Sequence, residues 1–593
     1  MKWKMRINMK TIHSLFISIL LLSISVSVAY AQAIDPKVEV SREFDVKLIE
    51  INKPNLSTKI ADSLSKFNIS FDYSVFEKPY KDLYEFVPHR SLLLEKSRPQ
   101  EYPLAYLKLG MQYPIIPSGE FYIQKNKENG FSISAYGQHN SYFPWKSESV
   151  ATTNMIRNSL GVEGKYIWST GSTTLDLFYD NTQSKTLRPV SSMIDSMGVK
   201  NGRFGLRAKV GSFNRESKGV LYDLSVTYLS TQAKQNFANS LESSSNRARE
   251  DRLDVTARLG GKYERLFYYL EFINSTSFMN SEIINRVSDN SSLVSIPLPN
   301  YYAGLFALSP QVKYSTKRFN GLIGLSLEGK YRTNVDVKDE LGRIDVMDVS
   351  GNLHKVMANH QKSITPLLLK VDMEYELIKN YVWVRGYLNG KNELNSLTHI
   401  LNNNPWFIPT QYIDFTSTPY VAGFTVKGKF MDRFSVNIFG SQSKYNNRLL
   451  ISYQRGGYQP NYVDMKESVI GAEVLWKSDG LIAGLELVKK RYNISQGIKP
   501  YLLPEYEGNI FAQYNWRDKI IADISLGYRS EVYSNNEEKE DSYFNLRLNL
   551  SYRLTRSLSV FLKGENLLND DIYYVPGFDA PGINFGGGIV MKF

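Results

Sequence analysis

Residues 544–554 alternate without interruption. Phe544, Leu546, Leu548, Leu550, Tyr552 and Leu554 occupy one parity, and Asn545, Arg547, Asn549, Ser551 and Arg553 occupy the other. The end of the chain repeats the pattern: Ile583, Phe585, Gly587, Ile589, Met591 and Phe593 against Asn584, Gly586, Gly588, Val590 and Lys592. A period of two puts successive side chains on opposite faces of a strand, so each stretch has an oily face and a wet one. Strands in soluble sandwiches run to about half this length. A tilted strand needs about 9–11 residues to cross a bilayer. The hairpin at 541–593 is therefore expected to close a transmembrane β-barrel.

The same signature recurs from residue 104 onward. Ala105, Leu107, Leu109 and Met111 enclose Tyr106, Lys108 and Gly110. Phe204, Leu206, Ala208 and Val210 enclose Gly205, Arg207 and Lys209, and Leu253, Val255, Ala257 and Leu259 enclose Asp254, Thr256 and Arg258. A charge on the lipid face near the midplane costs about 2–4 kcal/mol, so the charged parity is assigned to the lumen. That assignment points Lys427, Lys429, Arg547, Arg553, Glu473 and Glu486 inward. Short connections are expected near 168–173, 211–219, 261–264, 314–320, 378–380, 431–433, 477–480, 516–519 and 555–557. Long ones are expected at 181–201, 231–251, 274–300, 332–364, 390–418, 444–467, 492–505, 530–541 and 567–582. Alternating short and long connections mark barrels with short periplasmic turns and long outer loops. The segments add up to an all-β, antiparallel barrel of about 22 strands, the number found in large transporters.

Composition excludes the helical alternative. Hydrophobic residues make up 42% of the chain, and beyond its first 31 residues no stretch approaches 18 apolar residues. The 40 tyrosines suit interfacial girdles. Lys2, Lys4, Arg6 and Lys10, then an apolar core at 14–28, then Ala29-Tyr30-Ala31 form a secretory signal over 1–31. Its removal takes four basic and no acidic residues, so the formal charge falls from +12 to +8. On an exported chain this charge fits a basic lumen or anionic lipid headgroups better than nucleic acid. Residues 32–103 carry Pro54, Pro79, Pro88, Pro99 and Pro103 and no sustained alternation. They read as an irregular periplasmic or luminal segment without a core of its own. The absence of cysteine excludes a disulfide framework and a lipid-modified cysteine.

The run GENLLNDDIYYVPGFDAPGINFGGGIVMKF resembles the C-terminus of TonB-dependent receptor barrels. The resemblance rests on Glu565, Asn566, Leu567, Leu568, Asn569 and Tyr573, a Pro-Gly turn, and the last strand ending on Phe593. It implies that Phe585, Ile589, Met591 and Phe593 form the signal read by the outer-membrane barrel assembly machinery. It also implies a receptor or transport role in the outer membrane of a Gram-negative bacterium. The chain departs from the family before the barrel. Only 72 residues stand between the signal and the first strand, and the Gly-rich segments of a full plug domain are missing. This pattern is similar to the plugless receptor-like barrels of Bacteroidetes-type envelopes.

Nothing in the sequence points to catalysis. His89, His139, His354, His360 and His399 show no triad or metal-ligand spacing. The acidic groups Asp336, Asp339, Glu340, Asp345 and Asp348, and Glu537, Glu538, Glu540 and Asp541, lack the Gly-pinned loop of a calcium site and read as solvated charge. The Gly586–Gly588 run precedes no helix, so it reads as a place of close approach. Lys427, Lys429, Arg547 and Arg553 are candidates for a luminal anion-attracting patch, against the simpler reading that they pair with inward acids. No cofactor is expected, and no nucleic acid. The expected partners are outer-membrane lipid and the assembly machinery. Two functional readings remain: a receptor-like transport barrel of unspecified cargo, or a structural platform whose segment 32–103 docks a periplasmic or lipoprotein partner.

Overall fold

The computed structural model describes residues 104–593, apart from 127–129, 144–152, 187–195, 213–219, 239–241, 288–292, 335–342, 348–352, 358–360, 408–413, 432, 455–456 and 576–577. The signal at 1–31, the segment 32–103, His89, His360 and most of the acidic group at 336–348 lie outside these residues.

The described chain forms one 22-stranded antiparallel sheet closed on itself. Neighbours in sequence pair throughout, and the ring closes where Ala105–Tyr113 pairs with Asn584–Lys592. The Phe593 amide donates to the Ala105 carbonyl at 2.8 Å, and the Ala105 amide donates back at 3.2 Å. Closure leaves no strand edge in hydrocarbon, where an unpaired backbone group costs several kcal/mol.

The expected parity holds around the ring. Leu548, Ile524, Ile470, Leu562 and Phe585 point outward and are 42–61% exposed. A continuous outward belt of large apolar side chains this size would not persist in water and marks the lipid-facing surface. Aromatic pairs border it. Tyr166 and Trp168 (6.0 Å between centroids) and Phe434 and Trp476 (6.3 Å) lie near the short turns, and Tyr528 and Phe544 (4.8 Å) lie near the other end. The short turns stand at 169–170, 264–265, 316–318, 379–381, 479–480, 517–519 and 554–557, each within the expected connection or one residue beyond it. Asp479-Gly480 is one such turn, with Gly480 at φ 76° supplying the left-handed backbone. Short turns and the C-terminus share one end, which is taken as periplasmic.

The long connections differ from expectation. Strand Val220–Ala238 meets strand Glu242–Tyr263 across only 239–241, and Phe434–Gln454 meets Gly457–Ser478 across only 455–456. Most of what reads as outer loop at 181–201, 231–251, 274–300 and 444–467 is therefore strand. The cause is solvent. Above the lipid no apolar row is needed, so paired strands such as Leu293–Ser315, with 23 residues, continue without the period-two signal. The strict alternation of connection lengths also fails between Ala105–Tyr113 and Ile116–Asn126, which meet at the outer end through Pro114-Ile115 alone.

Strand lengths divide the ring into two arcs. Fourteen consecutive strands, from Thr153–Trp168 to Leu481–Ile494, have 13–23 residues. The other eight, running from Tyr506–Trp516 through the closure to Phe131–Tyr142, have 8–12. A bilayer takes up about 9–11 residues of tilted strand. The first arc therefore stands above the membrane as a tall wall, and the second barely clears it.

Candidate luminal site and outer mouth

The inner wall is polar and internally neutralised. Arg385 grips Asp372 in a two-point contact at 2.7 and 2.6 Å. Glu271 receives Arg258 at 2.7 Å and Lys370 at 3.3 Å, and Lys563 lies 2.6 Å from Glu565. Ion pairs within and between strands let charge line the lumen without a strong field of one sign.

The outer mouth of the tall wall is filled by residues 395–407. Ser396 caps the helix Leu397–Asn403 by accepting the His399 amide at 3.1 Å. Leu397, Ile400 and Leu401 share one face at helical spacing. The chain leaves the helix at Asn404, before Pro405, a residue that disfavours helix in the position preceding it. Seven residues are too few for a helix to stand alone in water, so packing must hold it. Trp406, 2% exposed, and Phe407 join Leu397, Ile400 and Leu401 in one cluster with Met155, Met197, Val199, Ala233, Ala248 and Met279 of the tall wall. Ile451, Tyr458 and Val575 reach the same cluster from the hairpin at 434–478 and from the last outer connection.

Hydrogen bonds fix the segment to the wall. The Glu250 carboxylate, 1% exposed, accepts the Leu397 amide (3.1 Å), the Thr398 amide (2.8 Å), the Thr398 hydroxyl (2.7 Å) and the Ser277 hydroxyl (2.7 Å). Gln235 Nε2 donates to the Trp406 carbonyl (2.9 Å), and Asn201 Nδ2 to the Pro405 carbonyl (2.8 Å). Arg203 donates to Asn402 (2.9 Å), Arg252 to Ser396 (2.7 Å), and Trp406 Nε1 to Ser184 (3.3 Å). Every wall residue named here has luminal parity, so the segment lies inside the ring.

Over the short strands the mouth is closed differently. The connections at 495–505, 530–542 and 566–583 pack on one another. Leu502, Val532 and Tyr573 form a cluster with Tyr543, and the Tyr501 hydroxyl donates to Asn536 at 2.7 Å. Beneath them lies a cavity of about 440 Å³, lined among others by Lys108, Glu120, Glu507, Arg529, Arg547 and Lys563.

No family model matches the sequence, and no curated protein matches it. Solved structures do. The ferric yersiniabactin uptake receptor FyuA of Yersinia pestis superposes with a TM-score of 0.65 at 10% identity, over 84% of this chain and 81% of its own. The copper transporter OprC gives 0.66 at 10% identity over 84% and 81%. The pyoverdine outer-membrane receptor FpvA of Pseudomonas aeruginosa gives 0.60 at 11% identity over 84% and 79%. This chain has the barrel fold of TonB-dependent receptors. At such low identity the likeness is one of fold.

Within the barrel the singled-out residues take distinct places. Phe585, Ile589, Met591 and Phe593 lie on the lipid side of the last strand. Asn566, at φ 49°, organises the last outer connection: its side chain donates to the Asp570 carbonyl at 2.8 Å and accepts the Asp570 amide at 2.9 Å. Asn569 accepts the Ile583 amide at 2.9 Å, and the Leu567 amide donates to the Leu546 carbonyl at 3.0 Å. Tyr573 is buried with its ring edge-on to Tyr543. Lys427 lies 3.6 Å from Glu374, while Glu473 accepts Asn437 at 3.0 Å. Arg547 lines the 440 Å³ cavity. Five strands separate it from Lys427 and Lys429, and Arg553 stands at the periplasmic end. The four basic residues therefore do not converge. His139 faces outward, between Asn158 (2.6 Å) and Ser141 (3.0 Å). Gly588 admits a neighbour closely: a Cβ there would meet the Leu109 carbonyl oxygen at 1.9 Å and the Phe561 ring at 2.7 Å.

The mouth segment is the feature that the sequence reading missed. Its signals were present in Ser396, the 397/400/401 spacing and Pro405.

Proposed function

We propose that this chain is an outer-membrane receptor-type barrel that admits a polar cargo through its lumen from the outer side. The observation that carries the reading is a ring of 22 strands with an ion-paired lumen whose mouth, over the tall wall, is closed by an inserted segment held to that wall by side-chain hydrogen bonds. A platform needs a surface; it has no need of a wide polar interior with a separately attached closure. Export through the 1–31 signal and insertion by the assembly machinery, reading the strand that ends on Phe593, belong to the same proposal.

Planar-bilayer conductance tests it. The intact protein should be nearly silent, and a variant in which a short Gly-Ser link replaces residues 395–407 should conduct. If both forms are silent, the transport reading fails. The second reading, a membrane platform docking a periplasmic or lipoprotein partner through 32–103, then takes its place.

A further inference from the structure

The outward face of the tall wall carries a second site. On strands Gly171–Thr186, Ser196–Ser212 and Val220–Ala238 the lipid-facing parity reaches its outer limit at Tyr179, Phe204 and Tyr228. The next residues outward on that parity are polar or glycine, and then basic. Lys200, Lys234 and Arg247 stand directly opposite one another on three adjacent strands, and Arg249 lies one step nearer the lipid, opposite Gln232. With Tyr179, Asn181 and Gly202 they line an outward-open hollow of about 710 Å³.

Folding alone gives no reason for this row. Like charges directly opposed across strands destabilise a sheet. Arg247 is partly offset by Glu282 at 3.4 Å, and Arg249 by Asp251 at 3.0 Å. Among the described residues no carboxylate pairs with Lys200 or Lys234. Gly202 leaves the floor of the hollow open; a Cβ there would meet the Tyr179 hydroxyl at 3.3 Å. The place is the level at which acyl chains give way to headgroups, just beyond an aromatic rim. Ammonium and guanidinium groups around a hollow suit phosphate oxygens, the guanidinium through paired N–H donors.

We propose that this hollow binds the phosphate groups of a lipid headgroup in the outer leaflet. The bound lipid supplies the anion that Lys200 and Lys234 lack, and its acyl chains lie down the apolar face below Tyr179 and Phe204. The proposal adds a ligand on the outside of the ring and is independent of any cargo inside it.

Native mass spectrometry of the full chain in mild detergent tests it, with three added lipids: bisphosphorylated lipid A, the same lipid stripped of phosphate, and phosphatidylglycerol. The first should be retained and the other two lost. The K200Q/K234Q/R247Q variant should retain bisphosphorylated lipid A about a hundredfold more weakly, roughly fivefold for each side chain neutralised. Removing three periplasmic-turn charges with K317Q/R318Q/R556Q should leave retention unchanged. Should the first triple variant not fold, as read by its mobility on unheated gels, Lys234→Gln alone should show the fivefold loss. Equal retention by wild type and the basic-row variant overturns the proposal. So does equal retention of the phosphate-free lipid or of phosphatidylglycerol, which would show apolar or unspecific anionic attraction.

Discussion

The fourteen long strands and the eight short ones solve the same problem in different ways. Both arcs meet the membrane with the same apolar belt, and both must keep a wide lumen from standing open. The tall wall has luminal surface to spare above the lipid, and it uses that surface to hold one inserted segment through Glu250, Gln235, Asn201 and Arg203. The short arc has none to spare. Its connections pack against each other around Leu502, Val532 and Tyr573 and leave a charged cavity beneath. Closure is thus a wall property on one side and a loop property on the other.

The sharpest way to break that contrast is at the closing seam. Gly588→Ala drives a Cβ into the Leu109 carbonyl oxygen and the Gly110 Cα, 1.9 and 2.7 Å away. Almost all folded barrel should be lost, read as the compact band on unheated gels. Gly198→Ala in the tall wall meets only the Ser184 carbonyl oxygen, at 3.8 Å, and should fold normally.

Next in size is Trp406→Ala. It empties the middle of the mouth cluster and should cost about 3–5 kcal/mol locally. Amide exchange at 397–404 should accelerate by orders of magnitude while the Leu502–Tyr573 cluster keeps its protection. Loss of protection on both arcs would show that the two closures are one unit.

Glu250→Gln keeps the shape of the clamp but sets an NH2 donor against two of its four donors, while the remaining amide oxygen still accepts the other two. It should cost about 1–3 kcal/mol, seen as intermediate exchange in the same segment. Least of all, Lys427→Gln should change thermal stability by no more than about 1 kcal/mol, because a partly exposed pair held only at 3.6 Å, Lys427 with Glu374, contributes little.

What could be read in advance follows the solvent. Leu546, Leu548 and Leu550 alternate with Arg547 and Asn549 because oil wets one side there, and that contrast is written in residue type. The short turns at 169–170, 264–265 and 479–480 were legible for the same reason, since the apolar rows stop at them. Between 231 and 251 water reaches the outward face, and small or amide side chains such as Thr231, Ala233 and Gln235 meet the mouth segment within. Hydropathy loses its period there, although the strands continue. The helix Leu397–Asn403 was written in its cap and spacing, yet it is shorter than the 10–12 residues at which periodicity separates a helix from a loop. The partners of Lys427 were not legible at all. Which acid faces it depends on the registers of strand 382–394 with both 361–378 and 415–430, and a polar face does not set those registers.

The uneven rim gives the molecule a front and a back in the plane of the membrane. Beside Tyr113-Pro114 the parapet is almost level with the lipid, while across the ring Leu293–Ser315 and its neighbours stand several residues proud. A large visitor drifting along the cell surface meets a cliff from one bearing and a doorstep from the other.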